Sequence, residues 1–215
     1  MLLEEREYLP SGESRVVLET ERLVLRRPSL ADVKAIARLA NDRRIAQNTA
    51  VIPHPYKVGD AEAFVQVAMK SSREFAFTVT RDGEIIGMVS AGFRKLDVPE
   101  IGYWLGVPYW GQGYATEAVS AIADHLVHQG IHRLVATVTV GNHASAKVLK
   151  KAGFSFTCIL SDNDTLRGEP VDVFDYLDAL EDGFTDAYRL LAERGGELLA
   201  PSGLLDRFSE VEIRV

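Results

Sequence analysis

The stretch PYWGQGYATEAV, residues 108–119, lies between a strand-like apolar run and a helical pattern. Its first helical turn is nearly bare of side chains, because it carries Gly111, Gly113 and Ala115. The first amides of a helix have no partner within the helix and carry a partial positive charge, so an uncovered helix start favours phosphate binding. Glycines that only form a tight turn are the alternative interpretation, and this stretch by itself does not separate the two.

Two better-known phosphate motifs do not occur in the chain. A P-loop requires G-x-x-x-x-G-K-[ST], which has no match in the sequence. In the dinucleotide fingerprint G-x-G-x-x-G, Thr116 occupies the position of the third glycine. What remains is a strand, a tight turn and a helix whose first amides are unhindered.

The composition is that of a soluble globular protein, with 215 residues of which 47% are hydrophobic and 26% charged. No apolar run approaches the roughly 18 residues needed to span a bilayer, and the N-terminus lacks the layout of a secretory signal. The single cysteine, Cys158, excludes an internal disulfide framework and a cysteine-rich metal site. We therefore predict a cytoplasmic protein with no membrane partner. The net charge of -7 argues against a nucleic-acid partner and is compatible with a cationic substrate such as an amine.

Hydrophobic periodicity predicts an α/β fold. The predicted order is a strand or hairpin ending at Pro28, two helices, three strands, a helix, a strand, a helix and two strands. Asp82 and Gly83 are predicted to form a hairpin turn between two of these strands. The first half of this pattern is mainly antiparallel, and the second contains strand–helix–strand crossovers.

Local signals mark the helix ends. Ser29 and Asp32 resemble a capping box at the start of the first helix, whose apolar face begins at Leu30. Asp60 is predicted to cap the second helix. A third helix is predicted over residues 113–129, just before a glycine that suits a helix end.

The chain is predicted to contain three segments. A polar arm covers residues 1–15, a folded domain covers 16–178, and an appendage covers 179–215 with a helix-like run and a short strand-like end. The appendage is expected to pack either on its own domain or on a second copy, which would make a homodimer.

Residues 112–118 closely resemble the acetyl-CoA pyrophosphate loop of the GNAT N-acetyltransferase superfamily. The family motif Arg/Gln-x-x-Gly-x-Gly/Ala falls on residues 110–115, where Trp110 departs from the usual Arg or Gln. Tryptophan at that place is typical of the ribosomal-protein-acetylating (Rim-type) branch, which GYWL, GYATEA, ETERLVLRRPSLAD and NHASAKVLKKAGF also resemble. The resemblance covers roughly residues 16–178, with its motifs in the family's order.

The resemblance implies a mixed, mostly antiparallel sheet of about six or seven strands, flanked by about four helices. This sheet is splayed centrally at the acyl-CoA site, where the strand ending at Leu105 separates from RLVATVTV. The amides of residues 111–115 would cradle the pyrophosphate, and backbone groups near Leu105 would bind pantetheine and polarise the thioester carbonyl. The implied cofactor contacts are Leu105, Trp110, Gly111, Gln112, Gly113, Tyr114, Ala115, Thr116, Asn142 and Ser145.

Acetyl transfer to an amine requires a neutral nucleophile, so a base should remove a proton. Glu100 lies where many relatives place that base, and a solvent-facing glutamate at a strand end is the alternative. Glu117 is a weaker candidate, since a carboxylate in the first turn of a helix also stabilises the helix dipole.

Asn142 and Ser145 match the family's Asn-x-x-Ser motif. In the family such an asparagine binds the pantetheine or a water, and the serine approaches the sulfur. The alternative is that Asn142 caps a helix, and both roles are compatible. Leu149 stands where many relatives have a tyrosine acid, so either Ser145 serves instead or the thiolate leaves to solvent without a dedicated acid.

Three other groups of residues are not predicted to form sites. The histidines at 125, 128 and 132 lack zinc-ligand spacing, so we expect no metal. Cys158 lies in an apolar strand and is expected to be buried. Of Tyr103 and Trp104, which alternate on a strand, one is expected in the core and the other in the acceptor pocket.

The predicted protein is an acetyl-CoA-dependent N-acetyltransferase of the Rim-type branch. Acetyl would pass directly to a primary amine, either a small molecule or a protein N-terminus, in a ternary complex. The alternatives are a transferase that uses a longer acyl-CoA and a CoA-binding regulatory or assembly module that has lost catalysis.

Overall fold

A computed structural model describes residues 17–71, 74–93, 98–160, 170–177 and 198–199. The strands are β1 (Val17–Glu19), β2 (Val24–Arg26), β3 (Glu74–Arg81), β4 (Glu84–Gly92), β5 (Glu100–Leu105), β6 (Arg133–Thr139), β7 (Ser155–Leu160), β8 (Val171–Leu177) and β9 (Leu198–Leu199). The α-helices are α1 (Val33–Ala40), α2 (Arg43–Gln47), α3 (Val58–Lys70), α4 (Tyr114–His128) and α5 (His143–Lys151).

In the described residues, the strands form one sheet in the order β1-β2-β3-β4-β5-β6-β8-β7-β9. Every neighbouring pair is antiparallel except β5 and β6, which are parallel. The ladder between β5 and β6 contains the single residue pair Glu100 and Val135, next to a hydrogen bond from the Val135 amide to Pro99 O (3.0 Å). Because the ladder ends there, the two strands separate along the rest of β5. The predicted mostly antiparallel sheet with a central splay is confirmed.

The sheet has more strands than the six or seven expected. The first predicted strand is the hairpin of β1 and β2, in which Leu18 pairs with Leu25. The two-residue strand β9 adds to the far edge, where Leu199 pairs with Ile159 of β7. The hydrophobic pattern of the sequence does not reveal either feature, because a strand of two or three residues is too short to show a hydrophobic period.

The turn between β3 and β4 has the predicted hairpin geometry. Asp82 and Gly83 both have positive φ, at 51° and 81°, as a two-residue turn that matches strand twist requires. This hairpin sets the register between β3 and β4, and β5 pairs with the other edge of β4.

Two predicted helix caps have different outcomes. The Asp32 carboxylate accepts hydrogen bonds from the Ser29 amide (2.7 Å) and hydroxyl (3.0 Å), which confirms the pairing of these residues. Leu30, expected on the apolar face, is 56% exposed because it lies in a 3-10 turn ahead of α1. Asp60 is not the cap of α3: the helix begins at Val58, directly after its N-cap residue Lys57, and Asp60 Oδ2 accepts the Lys57 amide (2.7 Å) from inside the first turn.

Helix α4 provides much of the main core. Val119, Ile122 and Leu126, predicted at helical spacing, are fully buried against the sheet. A second cluster joins α1 and α3 over Met88 of β4. The two clusters hold β4 and β5 from different sides, so both ends of β5 are placed by buried side chains.

The predicted arm and most of the predicted appendage lie outside the described residues, as do the proposed boundaries at 15/16 and 178/179. Within the described part of the chain, no helix combines the length and apolar character that a membrane span requires.

Candidate active site

The loop before α4 presents a group of backbone amides. Gly111 and Gly113 have φ of 74° and 84°, and Gly113 is the N-cap residue of α4. Glu117 is the first residue whose amide bonds back into the helix, to Gly113 O (3.1 Å). In the described part of the chain, no carbonyl of the backbone accepts from the amides of residues 111–116. Consecutive free N–H groups at a helix start form a concave anion site.

Arg22 holds this loop from the turn between β1 and β2. Its Nη1 donates to Gln112 O (3.0 Å) and its Nε donates to Glu117 Oε2 (2.8 Å), while its Nη2 forms an ion pair with the same oxygen (2.7 Å). Glu117 Oε1 accepts from the Arg22 amide (2.9 Å) and from Thr20 Oγ1 (2.6 Å). Burial raises the pKa of Glu117, but these hydrogen bonds outweigh it and bring the pKa below its usual value. Glu117 therefore anchors the loop, which leaves its oxygens poorly placed to act as a base.

A second arginine lies beside the first. The Tyr114 ring, which is buried, has the guanidinium carbon of Arg22 4.6 Å from its centroid and that of Arg81 at 5.3 Å. Both guanidinium groups therefore lie against the ring of the first residue of α4, and each also has a carboxylate partner, Glu117 for Arg22 and Asp82 for Arg81. Sequence reasoning missed them because neither belongs to the loop motif; Arg81 is the last residue of β3.

Trp110 ties the loop to the end of β5. Its indole Nε1 donates to Leu105 O (2.7 Å), and Gln112 Nε2 donates to Pro108 O (2.9 Å). The Gly106 amide bonds to Ile86 O (2.8 Å) on β4. Because the N–H and C=O of one strand residue point to the same side and successive residues alternate, both groups of Leu105 point away from β4, toward the splay. The Leu105 carbonyl already accepts a hydrogen bond from the indole, so the N–H is the backbone group of Leu105 that is suited to donate to a ligand.

A cavity of about 490 Å³ lies between the sheet and the segment around α1 and α3. Its lining contains Glu100, Tyr103 and Trp104 from β5, Thr137 from β6, and Ser145 from α5. Thr137 Oγ1 donates to Glu100 Oε1 (2.5 Å). Glu100 is thus a half-buried residue of the cavity wall, and its role as the base stays a prediction. The loop follows the C-terminal end of β5, and Asn142 follows the C-terminal end of β6. Both ends lie on the side where the two strands have separated.

The junction of β6 and α5 brings Ser145 to the cavity. Asn142 is the N-cap of α5, and its Oδ1 accepts the Ser145 amide (3.1 Å). The capping role of Asn142 is confirmed, and its Nδ2 remains the donor suited to a ligand. Ser145 Oγ lies 2.6 Å from the hydroxyl of Tyr103, on the neighbouring strand β5. Burial raises the pKa of Tyr103 to about 12.

Tyr103 and Trp104 both line the cavity, so the expected division between a core residue and a pocket residue is wrong. The separation of β5 from β6 explains this result. Tyr103 packs partly on the main core and Trp104 on the second one, while the open edge of β5 exposes part of each ring to the cavity.

Leu149 is fully buried in the main core. We expect Leu149→Tyr to lower the free energy of unfolding by about 1–3 kcal/mol, because the larger ring overpacks a filled site. The variant should not gain activity, since this position points into the core and its hydroxyl would not reach the cavity. Urea unfolding measures the loss.

Lys147→Tyr is the matched control for Leu149→Tyr. Lys147 is exposed on the same helix, so this change should stay within about 0.5 kcal/mol. Equal stability of the two variants would contradict the packing assigned to Leu149.

The histidines and the cysteine have structural environments. His125 packs edge-on against Phe75 and Phe77, at ring distances of 6.4 and 6.3 Å. Among the residues that the structure describes, no group of three or more His, Cys, Asp or Glu side chains is arranged for a metal ion. Cys158 is buried, as predicted, and burial with the nearby Asp175 raises its pKa to about 12.

Comparison with known proteins agrees with this geometry. Residues 22–155 match the family model of the GNAT acetyltransferase domain, and residues 157–215 match a domain of unknown function. An uncharacterised N-acetyltransferase p20 of Bacillus licheniformis is 30% identical over 167 residues, which are 73% of this chain and 92% of that protein.

Rim-type proteins are among the relatives, as predicted. The ribosomal-protein-serine acetyltransferase of Escherichia coli (strain K12) is 30% identical over 102 residues, which are 45% of this chain and 56% of that protein. The structure of RimJ from Mycobacterium smegmatis, solved in complex with a CoA-disulfide, superposes with a TM-score of 0.64 at 25% identity. That alignment covers 82% of this chain and 91% of RimJ. The chain therefore belongs to the GNAT acetyltransferase family and is an N-acetyltransferase.

Proposed function

We propose that the protein transfers the acetyl group of acetyl-CoA directly to a primary amine, without a covalent acyl-enzyme. The observation that carries this proposal is the alignment of three features along β5. The free amides at the start of α4 follow one end of β5, Ser145 meets β5 where it has separated from β6, and Glu100 lies in the cavity wall at the other end. The CoA-disulfide complex of the related RimJ supports a CoA thioester as the donor substrate.

The cofactor contacts follow from this arrangement. The amides of residues 111–116 bind the diphosphate, with Arg22 and Arg81 against the first residue of the helix. The pantetheine arm then enters the splay, where it meets the Leu105 N–H. Asn142 Nδ2 donates to the arm or to a water that bridges to it.

The chemistry uses groups of the cavity wall. The amine nitrogen attacks the acetyl carbonyl carbon while the Leu105 N–H stabilises the oxyanion. Glu100 accepts the proton that the amine loses. As the C–S bond breaks, its electron pair stays on sulfur, and the Ser145 hydroxyl donates a hydrogen bond to the resulting thiolate.

The acceptor is a primary amine, either a small molecule or a protein N-terminus. The ribosomal-protein-serine acetyltransferase among the relatives supports the second class. A cytoplasmic location, a homodimer and the division of the chain at residues 15/16 and 178/179 belong to the same proposal and rest on sequence reasoning.

Two measurements test the proposed function. Calorimetry should show saturable binding of acetyl-CoA, tighter than that of longer acyl-CoAs, and free thiol should appear only when acyl-CoA and an amine are both present. Tighter binding of a longer acyl-CoA would favour the transferase with another donor. Binding without thiol release on any small amine or peptide N-terminus would favour a CoA-binding module, which the buried leucine at position 149 keeps as the second candidate.

A further inference from the structure

Tyr103 and Ser145 form a hydrogen-bonded pair in the wall of the cavity. The phenol oxygen lies 2.6 Å from Ser145 Oγ and 3.2 Å from Ser145 O, although the residues are 42 positions apart. The pair connects β5 to the first turn of α5 at the side where β5 and β6 no longer pair. It is thus a contact across the splay that carries the acyl group in the proposed function.

We propose that Tyr103 is a positioning residue that orients the Ser145 hydroxyl toward the sulfur of the leaving CoA. The inference rests on the proposed function, and it supplies a substitute for the tyrosine that the chain lacks at Leu149. The substitute comes from a different element, because the hydroxyl that meets Ser145 is on a strand and not on the same helix.

The hydrogen-bond inventory explains how the pair orients Ser145. The serine hydroxyl has one proton and can accept as well as donate. The phenol has a single proton, which faces Ser145 O at 3.2 Å and Ser145 Oγ at 2.6 Å. When that proton is donated along the shorter contact, to Oγ, the serine proton is free to point away from Tyr103 into the cavity. Asn142 holds the amide of the same residue (3.1 Å), so Ser145 is held at its backbone and at its side chain.

Loss of the phenol hydroxyl would release this orientation. Without the phenol oxygen, Ser145 Oγ loses the side-chain contact that fixes its rotamer. The hydroxyl can then turn among its staggered rotamers, so its proton is no longer held toward the thiolate. Removing one oxygen atom from Tyr103 therefore frees the Ser145 hydroxyl, while the ring continues to fill its place.

Tyr103 does not itself supply a proton. Its pKa is raised to about 12 by burial, whereas a thiol titrates near 8.5, so the phenol keeps its proton when a thiolate forms. The electron pair of the broken C–S bond stays on sulfur, and the thiolate takes its proton from solvent after release. Both hydroxyls thus act as hydrogen-bond donors throughout, and neither is ionised in the step.

The test is a double-mutant cycle on thiol release. We expect Ser145→Ala to lower kcat about 100-fold and Tyr103→Phe about 10-fold, with the KM for acetyl-CoA within about 2-fold in each. Since Tyr103 acts through Ser145, the double variant should be no slower than Ser145→Ala alone. A ring-deleting change, Tyr103→Leu, separates packing from orientation, because it should also lower the thermal midpoint.

Tyr176→Phe is the control for loss of a phenol hydroxyl. Tyr176 lies on β8 against Phe154 (5.2 Å between ring centroids), outside the cavity lining. It should keep kcat within about 2-fold. A wild-type kcat for Tyr103→Phe, or multiplying losses in the double variant, would overturn the positioning role while the acetyltransferase activity stands. Absence of thiol release from the unmodified protein would instead overturn the proposed function.

Discussion

Gly113→Glu is expected to raise the dissociation constant for acetyl-CoA by about 100-fold or more, because it places a carboxylate at the proposed diphosphate site. The position also resists any side chain: φ is 84°, and a Cβ would lie 3.3 Å from Arg22 Nη2. Backbone strain of about 1–2 kcal/mol therefore accompanies the charge effect. Calorimetry with acetyl-CoA measures the first effect, and thermal unfolding measures the second.

Gly130→Glu is the matched control for Gly113→Glu. Gly130 follows the other end of α4 with nearly the same φ, 82°, and a Cβ there meets nothing within 4 Å. The control should carry similar strain and keep the affinity for acetyl-CoA within about 2-fold. Gly113→Ala should fall between the two, since it adds strain without charge. An unchanged dissociation constant for Gly113→Glu would show that CoA binds elsewhere.

Glu100→Gln is expected to lower kcat about 100-fold below pH ~7.7 on a peptide with a free N-terminus. In that range the α-amino group is mostly an ammonium, so a base must take its proton before or during attack. Above pH ~8 most of the amine is already neutral, and the loss should shrink. The loss of kcat is therefore largest at low pH and decreases as the pH rises. Thiol release measured across this pH range tests the prediction.

Glu84→Gln is the control for Glu100→Gln, because Glu84 is an exposed carboxylate at the start of the adjacent strand β4. It should keep kcat within about 2-fold at every pH. Thr137→Val removes the hydrogen bond to Glu100 and should have a smaller effect than loss of the carboxylate itself. If Glu100→Gln has the wild-type pH profile, water fills the role of the base.

Signals within a few residues predict the structure correctly where one physical requirement dominates. The Asp82-Gly83 turn needs positive φ at both residues, and the Asn142 side chain reaches the amide three residues later. The prediction that Asp60 caps α3 is wrong for a related reason. A carboxylate near a helix start suits either the N-cap or the third helical position. The sequence alone does not say at which residue the helical hydrogen bonds begin, so it does not distinguish the two positions.

The candidate site could be predicted in its parts but not in its contacts. The motif around Gly113 locates the amides, since their exposure depends on the residues of that turn alone. The arginines at 22 and 81 come from segments distant in the chain, so no local pattern relates them to the loop. The indole bond from Trp110 to the Leu105 carbonyl is likewise visible only when the strand end is folded against the turn.

The sequence by itself determined the order of the main elements, though not the short helix α2 or the two-residue strand β9, and it determined the free amides at the start of α4 and the Asn-x-x-Ser cap of α5. These depend on backbone conformations and hydrogen bonds between near neighbours, which residue type controls directly. The tertiary structure decided that β5 separates from β6 after one residue pair, and that Tyr103 meets Ser145 across the gap. Such contacts depend on strand register and on how buried side chains of distant segments pack together, so the same local pattern is compatible with many partners until the core is assembled.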